Sequence, residues 1–231
     1  MDPTIAIAWW SILFVGTHLI ISSARVRPAM VGMLGEQGYR GVYSIAAFVT
    51  FIPLVIAFAH HKHAGVMLWN LRGVVPIRWL AWLMMLGAII LMVASFVTPN
   101  PGAIGAGPGD GAAGILKITR HPSFVGLSLF GLAHMLMNGW AGDLWFFGSF
   151  PALGILGGFH QDRRKLSELG ESYRELVAAT SFFPGAALWS GRQRWTSEDM
   201  PWAAIGIGSA VAIVVIIIHP ALFGGSPIGR G

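Results

Sequence analysis

The chain contains no cysteine. That excludes disulfides, thiolate metal sites, iron–sulfur clusters and cysteine nucleophiles. Charge is scarce as well. Only 11% of the 231 residues are Asp, Glu, Lys or Arg, against about 25% in ordinary soluble domains. A soluble chain of this length would have too little charge to cover its surface, so a typical soluble enzyme and a disordered chain are both excluded. What is abundant is apolar: 55% of residues are hydrophobic and the mean hydropathy is +0.66. These values predict a polytopic membrane protein in one domain, residues 1–231. The net charge of +5 then reads as a topology signal and not as a nucleic-acid footprint. Met1-Asp2-Pro3 supplies no basic segment ahead of the first apolar stretch, which runs on to Ser22-Ser23-Ala24-Arg25. A retained helix is expected there, not a cleaved signal.

Six windows are free of charged residues for long enough to cross a bilayer: 5–22, 41–59, 79–97, 122–139, 144–160 and 201–219. A spanning helix takes roughly 17–25 residues. Pro53 and Pro151 fall inside two of them and predict kinks. The all-α expectation is therefore about six transmembrane helices. Eleven Lys and Arg lie in segments 23–40, 98–121 and 161–200, and four lie in the segments of the other side. That asymmetry places the first set in the cytoplasm and both termini outside, as in a bacterial inner-membrane protein. Two cytoplasmic stretches read as helices of their own, 24–40 and 161–178, and both carry a Leu-Gly-Glu…Tyr-Arg phrase. Residues 99–114 are rich in Gly and Pro and contain a Gly109, Gly111, Gly114 spacing. Without a preceding strand that spacing reads as a loop.

Eight histidines carry most of the chemical interest. Ionisable groups inside spans are costly and point to function. His18 and His134 lie within spans, while His121 and His160 lie at span ends. At 1.5 Å per residue, His18 is roughly 20 Å below the outer surface, His121 and His160 roughly 25 Å, and His134 only about 6 Å. Such imidazoles serve either as metal or haem ligands or as interhelical hydrogen-bond donors. His60, His61 and His63 read as a solvated cluster or a surface metal site, and His219 as a helix cap. Arg120 and His121 precede Pro122, which suits the first helical position. Facing Asp162, Glu168 and Glu171, they would either form a polar pocket for a carboxylate or charged cofactor, or make ordinary salt bridges.

Several ordered motifs carry a family likeness. They are His18…Arg25-Val26-Arg27, Leu34-Gly35-Glu36-Gln37-Gly38-Tyr39-Arg40, Lys117-Ile118-Thr119-Arg120-His121-Pro122, and His134-Met135-Leu136-Met137-Asn138-Gly139. Asp162-Arg163-Arg164 and Thr180-Ser181-Phe182-Phe183-Pro184 follow. The likeness runs over residues 11–190, and the chain resembles the NnrU family. That resemblance implies an inner-membrane protein of nitrogen-oxide metabolism, or a haem b enzyme like the 15-cis-zeta-carotene isomerases that isomerises a lipophilic polyene. It implies His18 and His134 as haem ligands, with His121 as a competing ligand and Arg120 beside a propionate or the substrate. Gly131 stands where the isomerases carry a Cys. It implies no catalytic residue by itself. A wider similarity, through Arg120-His121-Pro122 and Leu169-Gly170-Glu171-Ser172-Tyr173, is to isoprenylcysteine carboxyl methyltransferases. It implies S-adenosylmethionine held by Arg120, His121, Glu171 and Tyr173. A non-catalytic assembly factor for a terminal reductase is the third expectation.

Overall fold

The computed structural model describes residues 1–98 and 112–225. The loop motif around Gly109 and Gly111 lies outside them. The described residues form α1 (Pro3–Ile21), α2 (Val26–His60), α3 (Val75–Val97), α4 (Pro122–Met137), α5 (Ala141–Leu169), α6 (Glu171–Ala179), α7 (Ala186–Trp189) and α8 (Trp202–Phe223). Two short strands, β1 (Met67–Trp69) and β2 (Gly139–Trp140), pair antiparallel.

The helix ends follow from local chemistry. Asp2 caps α1 by accepting from the backbone N–H groups of Thr4 at 2.8 Å and Ile5 at 3.2 Å, with Pro3 at the first position. Pro122 opens α4 in the same way. Gly170 turns the chain between α5 and α6 with φ +61°, a value that glycine adopts without a Cβ penalty.

The long helices pack as a row: α2 on α1, α1 on α5, α5 on α4, α4 on α3, and α3 on α8. The α4–α5 contact is close. A Cβ on Gly131 would lie 2.4 Å from the Phe147 carbonyl and from Pro151 Cδ. Pro151 has no N–H to give the carbonyl four residues back, which is that of Phe147. So α4 presses its glycine against the kink of α5, the small-residue contact typical of membrane helices. Phe146, Phe147, Phe150 and Leu153 of α5 join Ile7, Phe14 and Leu54 in a buried cluster beside it.

Contacts fix which helix ends lie together. Lys62 donates to the Phe223 carbonyl at 2.8 Å, and the Ala141 N–H to the Val66 carbonyl at 2.9 Å. The ends of α2 and α8 thus meet the segment that leads into α5. The basic end of the bundle lies opposite and holds Arg27, Arg120 and Arg164. Large apolar side chains such as Phe48, Ile52, Leu83, Phe96 and Ile217 stand more than half exposed. Such a surface belongs in lipid, not water.

Among the described residues four helices are long and apolar enough to cross a membrane: α1, α2, α3 and α8. Two sequence windows, 122–139 and 144–160, correspond to α4 and α5; α4 has 16 residues and α5 runs past its window to the charged Leu169 end. Two expectations need correction. The short helix expected over 24–40 begins at Val26 and ends earlier than expected, at Gly35, whose φ of +69° breaks α2 into two helical stretches, the second of which runs on into the second span. The stretch 161–178 is likewise the last turns of α5, then α6.

Candidate functional site

At the basic end, Asp162 is the hub. Arg120 Nε donates to its two oxygens at 3.1 and 3.0 Å, and an Arg120 terminal nitrogen donates to Oδ2 at 2.6 Å. His121 Nε2 donates to Oδ1 at 2.7 Å, and the Tyr173 hydroxyl donates to the same oxygen at 2.8 Å. A carboxylate only accepts, so His121 carries its proton on Nε2. All four residues are buried. Burial alone would raise the Asp162 carboxyl, but the hydrogen bonds and charges of His121 and Arg120 outweigh it and hold the group well below the usual carboxylate range. Burial, with Asp162 alongside, pushes the Tyr173 phenol well above its usual range. Asp162 therefore stays ionised and Tyr173 stays a donor.

The backbone around this hub is tied down as well. The Thr119 hydroxyl donates to the Phe182 carbonyl at 2.7 Å, and the Arg120 N–H to the Ser181 carbonyl at 3.0 Å. The Gly185 N–H donates to the Ile118 carbonyl at 2.8 Å. The segment entering α4 is thus clamped between α5, α6 and the loop after α6. Of the six site residues read from sequence, the structure brings Arg120, His121 and Tyr173 together. Glu171 does not join them; it pairs with Arg174, and both side chains are about two-thirds exposed. Glu168 and Glu36 are also elsewhere, both on Arg27. The expected ligand pocket of Arg120, His121, Glu171 and Tyr173 is accordingly incomplete, because Asp162 takes up three of its members. His121, expected as a competing iron ligand, has its Nε2 committed to Asp162 and its side chain only 2% exposed.

His18 and His134 lie within the bundle. His18 Nδ1 donates to the Phe14 carbonyl at 2.6 Å, and His134 Nδ1 to the Phe130 carbonyl at 2.9 Å. Each ring thereby leaves Nε2 as its acceptor atom, the tautomer that suits a ligand. The two rings do not meet. His18 packs on Phe14 and Tyr43 at centroid distances of 4.5 and 5.4 Å, whereas His134 stacks on Phe147 at 4.5 Å. Phe150 touches Phe14 on one side and Phe130 on the other. Their levels differ as well. Thr4 and Ala141 both abut Gly65, so α1 and α5 start at one level. From there His18 is about 21 Å along α1, and the Phe147 partner of His134 about 9 Å along α5. One iron would need both ring nitrogens within about 2 Å of it. As placed, the two histidines do not fit as ligands of a single haem.

His134 instead forms part of the wall of a cavity of about 730 Å³ between α3, α4 and α8. Trp79, Trp82, Met85 and Ile89 line it from α3, Ala133 from α4, and Ala212 and Ile213 from α8. Trp79, Leu83 and Ile213 are each more than half exposed, so the cavity opens sideways at the apolar surface. Arg72, Arg78, Asn138 and His219 mark one end. From sequence alone Arg72 and Arg78 read only as topology charges. His219 Nδ1 donates to the Gly225 carbonyl at 2.6 Å, just past the end of α8. Among the described residues no three His, Asp or Glu gather as a metal group. His63 is held by Asp143, with Nδ1 to Oδ2 at 2.6 Å and its backbone N–H to Oδ1 at 3.1 Å.

The described residues thus form a membrane bundle with a lipid-facing surface, a buried ionic clamp at one end and an apolar cavity between α3, α4 and α8. The chain belongs to the NnrU family, matching the NnrU protein over residues 7–227. It is similar to the chloroplastic 15-cis-zeta-carotene isomerase of Zea mays, 29% identical over 223 residues, covering 92% of this chain and 59% of that one. The Arabidopsis thaliana protein of the same name is 25% identical over 238 residues, covering 97% and 62%. The chain thus spans about three-fifths of the length of these relatives. No solved structure matches it.

Proposed function

We propose that the protein catalyses cis–trans isomerisation of a lipophilic polyene drawn from the bilayer into the α3–α4–α8 cavity. The observation that carries this reading is the cavity itself: some 730 Å³, apolar, open toward lipid, with one imidazole on its α4 wall. The volume falls within the range of about 300–1,000 Å³ common for small-molecule sites. The names of the two plant relatives supply the reaction class. Rotation about a double bond needs that bond loosened while both halves stay held. Trp79 and Trp82 offer flat faces to conjugated carbons, and His134 presents the Nε2 of a ring held in place by Phe130 and Phe147. The Asp162 clamp acts at a distance by fixing the start of α4, and so the position of His134. In this reading α4 and α5 also traverse the membrane, making six crossings, with the basic end in the cytoplasm.

The test is expression in a host that accumulates 15-cis-zeta-carotene, with chromatography of the isomers. Wild type should deplete the 15-cis form. Ala212→Trp, which fills the cavity, should abolish conversion while leaving the protein in the membrane. Unchanged isomer ratios with wild type would reject the proposal.

A further inference from the structure

The cavity has a polarity gradient. Along α3 it runs from Arg78 to Ile89, and along α8 from His219 to Ser209. These are eleven and ten steps of helix, or about 15–17 Å. Apart from Ser209 and His134, the polar lining sits at one end, where Arg72, Arg78, Asn138 and His219 gather. Arg72 is held in place there: its Nε donates to the Met137 carbonyl at 2.9 Å and a terminal nitrogen to Asn138 Oδ1 at 2.6 Å. The Arg78 side chain makes no hydrogen bond or ion pair among the described residues; only its backbone N–H is bonded, to the Val74 carbonyl at 3.1 Å. The described carboxylates of that end are committed elsewhere, Asp2 to the α1 cap and Asp143 to His63. Two guanidiniums therefore face an apolar cavity with no acidic partner among the described residues. A guanidinium in such a place recognises a carboxylate, often with two parallel hydrogen bonds.

We infer that the cavity also takes a polyene ending in a carboxylate, its chain along Trp79, Trp82 and Met85 and its anionic end on Arg72 and Arg78. This inference rests on the proposed polyene site and extends its ligand class beyond hydrocarbons.

The experiment uses the full chain in nanodiscs of zwitterionic lipid, with cis-parinaric acid as probe. Its conjugated chain accepts energy from tryptophan, and Trp79 and Trp82 line the cavity. Binding is read as saturable energy transfer for the acid, for its methyl ester and for a hydrocarbon polyene competitor. The acid should bind roughly tenfold more tightly than the ester, the scale of one hydrogen bond to a charged group. Arg78→Gln should remove most of that preference and leave ester binding unchanged. Because the Arg78 side chain makes no internal bond among the described residues, this variant keeps the fold. Arg72→Gln should act in the same direction. Equal binding of acid and ester, untouched by Arg78→Gln, overturns the inference and leaves the polyene site standing. Loss of acid binding on adding one-third anionic phospholipid also overturns it, since the anion would then come from the bilayer. No saturable binding of any of the three molecules sinks the inference and the polyene site together.

Discussion

Asp162 and His134 sit toward opposite ends of the same helix pair, α4 and α5, and the protein treats its polar atoms differently at the two places. Around Asp162 the polar atoms are satisfied by one another. Four side chains and three backbone links close on themselves, and the group is buried. Around His134 the polar atoms are only partly satisfied: Arg72 is held by Met137 and Asn138, while the imidazole Nε2 on one wall and the Arg78 guanidinium at the rim of the apolar cavity meet no protein partner among the described residues. The lesson is that clusters of ionisable residues within a membrane protein divide by whether their partners are protein. The first cluster positions helices. The second is left to meet something else.

The sharpest way to break this contrast is Asp162→Ala. It would leave Arg120, His121 and Tyr173 without their shared acceptor. Removing one partner of a buried ionic network costs about 3–5 kcal/mol. Unfolding in detergent micelles should move by that amount, and the cavity mutants Arg78→Gln and Ala212→Trp should not. If Asp162→Ala were neutral in stability but lost activity, the clamp would be a binding site after all.

The pH dependence sharpens the same point. The Asp162 carboxyl is held below its ordinary value by His121 and Arg120, against the effect of burial. A depressed folded-state value means that the stabilisation is fully present above the unfolded value, about 3.9. It is lost as pH falls below that toward the folded value. The melting temperature in detergent should thus hold between pH 7 and 5 and fall below about 4. Asp162→Asn should flatten that acid limb.

Gly131 tests how closely the two helices must approach. Overpacking costs about 1–3 kcal/mol, and a Cβ here meets the Phe147 carbonyl and Pro151 at 2.4 Å. Gly131→Cys should destabilise by that amount, most simply by parting α4 from α5. An added thiol without loss of stability would show that the contact at the kink is looser than the structure has it.

The sequence made the bundle legible because apolar runs without charge are a strong signal, and all six windows became helices. The pairing of Arg120 and His121 with Asp162 was also legible, since proline after the pair fixed which helix they begin. The Tyr173 hydroxyl joined them through a turn at Gly170. Glu171 lies two positions before Tyr173, and that step around α6 turns a side chain from the hub to solvent. His18 and His134 differ in depth, which residue counting sets at about 14 Å apart. The cavity could not be read at all. Trp79, Arg78 and His219 look like interface residues on separate helices, and only the α3–α8 contact brings them to one space.

The smallest expected effect lies at the non-basic end, in a third arrangement between the other two. Asp143 is fully buried and accepts from both the ring and the backbone of His63. His63 holds φ +61°, which side chains other than glycine and asparagine adopt at a cost. His63→Gly would relieve that strain but remove the ring donor, so the two effects oppose each other. His63→Ala would lose the donor and keep the strain. The glycine variant should lie about 1 kcal/mol above the alanine variant in stability. Both should keep polyene binding, because His63 does not line the cavity. Alanine equal to glycine would mean that the left-handed turn stores no strain, and the backbone N–H alone would then account for how Asp143 is held.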